Sequence, residues 1–273
     1  MPVPEPKAGR NLPIAIATGL GLAGLIFATL FTSRPAFFVL ALAAILLAQT
    51  ELYRALREHG FHVALSLGVG VGAVLVLGAY LNRTEGIAIV LALSVPATVL
   101  WFLAGEDRAG ARDGISATLF GVLYVPFFGA HVVMMSRLPH GPALTIAYIG
   151  AIAFYDIGAY AAGSLFGAHP MAPSISPKKT WEGTLGATLL VVVLALIVGP
   201  HLGQLTVATS LALAGVVTLL APLGDLAEST IKRDLAVKDM GSLLPGHGGL
   251  LDRIDALIFV APAAYWLMRA AVV

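Results

Sequence analysis

Residues 183–224 contain no Asp, Glu, Lys or Arg. A membrane-crossing helix needs about 20 apolar residues, so this run is too long for one crossing. It is interrupted at Gly199-Pro200-His201, where Gly and Pro break a helix. We read it as two consecutive spans. The same pattern recurs along the chain, with apolar stretches at 12–32, 35–50, 63–81, 86–104, 115–135, 142–168, 183–199, 204–223 and 255–273. Only 11% of the 273 residues are charged, against about 25% in soluble domains. The stretch from Leu12 to Thr32 is longer than the apolar core of a signal peptide, so it reads as an uncleaved first helix. The expected fold class is an all-α, polytopic transmembrane helical bundle of about nine spans.

Basic residues orient such a bundle, because cytoplasmic segments carry the excess of Lys and Arg. With the N-terminus in the cytoplasm, Lys7, Arg10, Arg54, Arg57, Arg108, Arg112, Lys178, Lys179, Lys232, Arg233, Lys238 and Arg253 fall inside. Arg34, Arg83, Arg137 and Arg269 fall outside. This arrangement puts the segments 169–182 and 224–254 on the same, cytoplasmic face. The expected setting is a cell (inner) membrane.

Several common chemistries are excluded. There is no cysteine, hence no disulfide, thiolate metal site or cysteine nucleophile. No G-x-x-x-x-G-K-[ST] loop occurs. Gly19, Gly21 and Gly24 spell G-x-G-x-x-G, but inside a membrane helix they read as small-residue helix packing, as do Gly68 and Gly72. The histidines at 59, 62, 131, 169 and 201 lack metal-ligand spacing.

Charge is concentrated instead in residues 225–255, which hold ten of the 31 charged residues. Asp225, Glu228, Ser229 and Lys232 share one helical face by their i, i+3, i+4, i+7 spacing. Asp252 and Asp255 are three apart before the last apolar run. Carboxylates beside Lys and Arg suit phosphate chemistry: the acids hold Mg²⁺, which also takes phosphate oxygens, and the bases neutralise the remaining charge. Between the acidic pairs lies Leu244-Pro-Gly-His-Gly-Gly249, whose glycines let backbone amides approach an anion. Upstream, Ser176-Pro-Lys178-Lys179-Thr180-Trp-Glu182-Gly183 opens the seventh span, and a helix N-terminus favours an anion. Asp156 lies inside the sixth span, where a carboxylate needs a partner or water. Tyr160, Gly163 and Gly167 continue its face.

Read together, Ser229-x-x-Lys232-Arg233, Lys238-Asp239, Pro245-Gly-His247-Gly248-Gly249 and Asp252-Arg253-x-Asp255 resemble the signature of the CDP-diacylglycerol synthases, or phosphatidate cytidylyltransferases. The resemblance covers residues 156–255; Ala187 stands where a glycine is expected after Gly186. It implies an N-terminal set of transmembrane helices (1–155) and a transmembrane catalytic region (156–273). It implies transfer of CMP from CTP to phosphatidic acid, with pyrophosphate released. Asp225, Asp252 and Asp255 would be the metal ligands. Lys178, Lys179, Lys232, Arg233, Lys238, His247 and Arg253 would act on the phosphates, with Ser176, Gly248 and Gly249 binding the nucleotide. The implied cofactor is Mg²⁺, with a second metal or a monovalent cation left open. Expected partners are CTP, phosphatidic acid and membrane lipids, with no nucleic acid and with a homodimer left open. Two other readings remain: a cytidylyltransferase acting on an ether-linked isoprenoid phosphate, and a transporter using Asp156 for ion coupling.

Overall fold

A computed structural model describes residues 12–81, 84–105, 110–202, 205–243 and 248–273. Its helices are α1 (Leu12–Thr32), α2 (Arg34–Glu58), α3 (Leu65–Tyr80), α4 (Thr84–Ala104), α5 (Ala111–Val122), α6 (Phe128–Ser136), α7 (Gly141–Phe166), α8 (Trp181–Ile197), α9 (Val207–Asp234) and α10 (Leu251–Val272). Two short strands, β1 (Pro170–Ala172) and β2 (Ser176–Thr180), stand between α7 and α8. Each expected apolar stretch is helical over most of its described residues, and the molecule is a membrane helical bundle. Among those residues, six helical rods have the length and hydropathy to cross a bilayer. Leu65–Tyr80 and Trp181–Ile197 are apolar but shorter, and α1 is apolar throughout Gly19–Thr32.

Helix ends follow local chemistry. Ser33 caps α2 by accepting the Ala36 N–H at 3.2 Å, with Pro35 in the first turn. Thr180 caps α8 through the Gly183 N–H at 3.2 Å, and Thr206 caps α9 through the Thr209 N–H at 3.1 Å. Such caps satisfy amides that the helix itself leaves without partners. A π-turn over Leu123–Phe127 joins α5 to α6. Pro126 sits within it and has no N–H to offer the ladder, which favours the extra residue in the turn. The break expected at Gly199-Pro200-His201 is present as a short 3₁₀ turn.

Three boundaries differ from the sequence expectation. Helix α2 continues to Glu58 instead of ending near 50, because Glu51, Leu52, Tyr53, Ala55 and Leu56 are all buried against the bundle. Helix α9 continues to Asp234 and α10 starts at Leu251, so the loop expected over 224–254 shrinks to residues 235–250. Charge ended the apolar pattern at 224, but the helix carries its own hydrogen bonds out of the apolar zone. The segment 169–182 is an antiparallel hairpin with Pro170 opposite Thr180 and Ala172 opposite Ser176, followed at once by α8.

The core is tied by Tyr53, whose hydroxyl donates to the Thr118 carbonyl at 2.7 Å and accepts from Gln49 Nε2 at 3.1 Å. Gln49 Nε2 also reaches the Gly68 carbonyl at 2.9 Å. Gly68 packs on the Tyr53 ring and Gly72 on Gln49 and Pro126, so these two glycines do serve close packing. Gly19, Gly21 and Gly24 do not: a Cβ at any of them would meet no described atom within 4 Å, so no described helix closes on that face. Helices α7 and α8 cross through small residues. A Cβ on Gly158 would lie 2.9 Å from Ala187 Cα, so Ala187, itself fully buried, fits because glycine stands opposite. This crossing and the hairpin set the distance between Asp156 on α7 and the lysines of β2.

Candidate active site

Between α7, the hairpin, α9 and α10 lies a cavity of about 900 Å³. Three elements bring most of the charge to it. Helix α7 contributes Asp156 and Tyr160, β2 contributes Ser176, Lys178 and Lys179, and α9 contributes Asp225, Glu228 and Lys232. The first turns of α10 add Asp252, Arg253 and Asp255. The cavity therefore gathers five carboxylates and four cations. Its wall also includes Gly19 and Leu22 of α1, an apolar edge.

The helical spacing of α9 has a direct result. Asp225, Glu228 and Lys232 descend one face at i, i+3 and i+7, so Asp225 meets the hairpin while Glu228 and Lys232 meet each other and α10. Asp225 pairs with Lys179 of the hairpin. Lys232 Nζ donates to Glu228 Oε2 at 2.5 Å and to Asp252 Oδ1 at 2.8 Å. The other Asp252 oxygen accepts the N–H groups of Met240 and Gly249, each at 2.9 Å. Asp252 thus has protein donors on both oxygens, and it closes the 235–250 segment onto α10. Asp255 is buried and faces the same cavity. The Glu228 side chain is 1% exposed, and its Oε1 has no partner among the described residues.

The expected site residues separate into three groups. Ser176, Lys178, Lys179, Lys232, Arg253, Asp225, Asp252 and Asp255 line one cavity. Arg233 is not in its wall; Nε donates to the Ile175 carbonyl at 3.1 Å and so ties the end of α9 to the hairpin. Lys238 is exposed on the connecting segment and is not part of the cavity wall; Gly248 has φ +79°, a backbone that glycine adopts without strain, and Gly249 packs against Asp252. His247 lies outside the described residues. Sequence reasoning placed Glu228 on the acidic face beside Asp225 without naming it a metal ligand, and did not single out Tyr155 or Thr184, which also line the cavity. Glu228 is visible on the Asp225 face; nothing in the sequence marks the other two.

The donor set bears on a metal. No three His, Asp or Glu side chains among the described residues converge into a ready cage. All acidic groups in the cavity offer hard oxygen, with no imidazole among the described residues of its wall. Glu228 Oε1 is an orphaned buried acceptor. Mg²⁺ commonly takes one or two carboxylates and fills its remaining positions with water and phosphate. The residues present fit such a partial site better than a three-aspartate cage.

A membrane bundle that closes around paired lysines and carboxylates defines a multi-pass membrane protein with a polar cavity. The description "Cytidylyltransferase family" matches residues 13–271, and the chain belongs to that family. A protein of Mycobacterium leprae named phosphatidate cytidylyltransferase is 35% identical over 96% of this chain and 89% of its own length. A protein of the same name from Thermotoga maritima is 33% identical over 65% of this chain and 67% of its own. A chloroplastic one from Arabidopsis thaliana is 28% identical over 95% and 71%.

Proposed function

We propose that this chain is a membrane phosphatidate cytidylyltransferase, joining the CMP part of CTP to phosphatidic acid. The observation that carries the reading is the cavity itself, where Lys178, Lys179, Lys232 and Arg253 face Asp225 and Asp255 beside an apolar edge on α1. Membership in the cytidylyltransferase family and the names of the relatives support the same conclusion.

In the proposed reaction a phosphate oxygen of the lipid attacks the α-phosphorus of CTP. The new P–O bond forms as the bond to the β-phosphate breaks, and pyrophosphate departs. The second pKa of a phosphate monoester is about 6, so the nucleophile is already largely ionised and no strong base is required. The difficulty is bringing two polyanions together. Lys178 and Lys179 reach into the cavity from the hairpin, and Lys232 and Arg253 from α9 and α10. Fixed cations of this kind stabilise charge that grows on the leaving group. Asp225 and Asp255 would hold Mg²⁺ together with phosphate oxygens, and when bound the ion would offset negative charge on the phosphates. Asp252 acts one step removed, holding Gly249 and Met240 in place. The lipid headgroup enters past Gly19 and Leu22 while its acyl chains stay in the bilayer.

The test is pyrophosphate release by the purified chain in detergent. Release should require CTP, phosphatidic acid and Mg²⁺ together, and should stop on chelation. Release only with an ether-linked isoprenoid phosphate would reassign the lipid. No release with any lipid phosphate would overturn the reading.

The chamber is assigned to the cytoplasmic side, where CTP is available. Because the chain has no cysteine, single replacements at Ser174 and Ser242 give clean labelling sites. Both should react with an impermeant maleimide from the cytoplasmic side only. Reaction from opposite sides would show that the spans between them are miscounted.

A further inference from the structure

One buried acid near the cavity comes from outside the motif region. Glu51 of α2 is 9% exposed, and its Oε2 accepts the Leu251 N–H at 2.9 Å. Leu251 is the first residue of α10, and Leu250 before it provides no side-chain cap. Glu51 therefore caps α10 from another helix, placing a negative charge at the N-terminus where the helix dipole favours it. The same carboxylate lies against two loop glycines. A Cβ on Gly241 would fall 2.6 Å from Glu51 Oε1, and one on Gly249 would fall 2.8 Å from Glu51 Oε2. The Gly249 position is also 2.8 Å from Asp252 Oδ2. Two acids thus grip the segment: Asp252 from the cavity side and Glu51 from the bundle side. Glu51 Oε1 is buried and has no hydrogen-bond partner among the described residues. A buried carboxylate oxygen of this kind is costly unless the structure needs the group where it is.

We infer that Glu51 is a positioning residue for the reaction chamber: it fixes Gly241 and the Gly249–Leu251 turn, so that the loop and the Asp252–Asp255 pair present themselves to the nucleotide in one arrangement. Bulk core packing would not require an acid here, since neighbouring Leu52 and Tyr53 bury fully without charge. The inference concerns loop geometry and rests on the proposed function only for its kinetic consequence.

The experiment measures both in the full chain. In Glu51→Ala, a cysteine at Met240, which is buried in the loop, should react with a soluble maleimide about five- to ten-fold faster, the change expected from losing a helix cap. A cysteine at Ser174, on the hairpin, should react at its original rate. The KM for CTP should rise by a similar factor while the KM for phosphatidic acid holds. Glu51→Gln keeps an oxygen for the Leu251 N–H and should recover most of both effects. If Glu51→Ala does not fold, Gly241→Ala gives the same test, because its methyl displaces the loop from the carboxylate and leaves α2 intact. Equal acceleration at Ser174 and Met240 would mean general loosening and would overturn the inference. So would an unchanged Met240 rate. A chain that shows the labelling pattern but no CTP turnover would leave the positioning role standing and remove the proposed function instead.

Discussion

Replacing Lys179 with Ala should lower turnover about 10²- to 10³-fold, the loss typical of removing one donor to transition-state charge. Lys179 is three-quarters shielded from solvent and paired with Asp225, so its ammonium is held within the chamber wall. Lys178 is exposed on the same strand and should give a smaller loss. If the two lysines were only markers of membrane orientation, Arg would replace either without effect. Lys179→Arg should instead stay impaired, because a planar guanidinium does not fill the place of a compact ammonium. Pyrophosphate release measures the effect, and size-exclusion chromatography in detergent verifies insertion and folding. Near wild-type turnover in both alanine variants would return the pair to an orienting role.

The aspartates should divide into two kinds. Asp225→Asn and Asp255→Asn should abolish most turnover and raise the Mg²⁺ needed for half-maximal rate. The rise should be at least the ~10–100-fold that loss of an outer partner costs a metal site. Stability should hold at Asp225, which is part-exposed. Asp252→Asn should behave differently. It breaks a pair with Lys232 in which the Asp side chain is only 4% exposed, and it disturbs two backbone amides. Loss of stability up to about 3–5 kcal/mol is expected for a broken buried ion pair. Its melting temperature should therefore fall while the Mg²⁺ requirement of the remaining activity stays near wild type. A shifted Mg²⁺ titration with unchanged melting in Asp252→Asn would make it a metal ligand after all.

The legible part of this chamber is the part written in short-range spacing. Asp225, Glu228 and Lys232 announce a shared face because 3.6 residues make a turn, and Asp252 with Asp255 does the same on α10. The apolar runs mark the helices because a bilayer demands continuous hydrophobic length. Where helices outrun the apolar zone, as α2 does to Glu58 and α9 to Asp234, hydropathy carries no signal for the helix end. The hairpin is hidden for a related reason: Ser176-Pro-Lys-Lys-Thr has no alternation of apolar and polar residues to betray a strand. Glu51 is invisible in another way. Its partner Leu251 lies 200 residues away, and no local pattern distinguishes an acid that caps a distant helix from one that ends a span.

Two of the cavity's four cations are not held in reserve. Lys179 already has Asp225, and Lys232 already has Glu228 and Asp252. In the proposed reaction an incoming triphosphate would take these lysines over from the carboxylates, so its arrival would be an exchange of partners more than a neutralisation of bare charge. Such an exchange would keep the free energy of docking modest, because each new ion pair with phosphate would be set against an older one with a carboxylate. It also means that a departing polyphosphate leaves behind lysines with acids at hand to receive them. A chamber of this kind trades tightness of capture for ease of release.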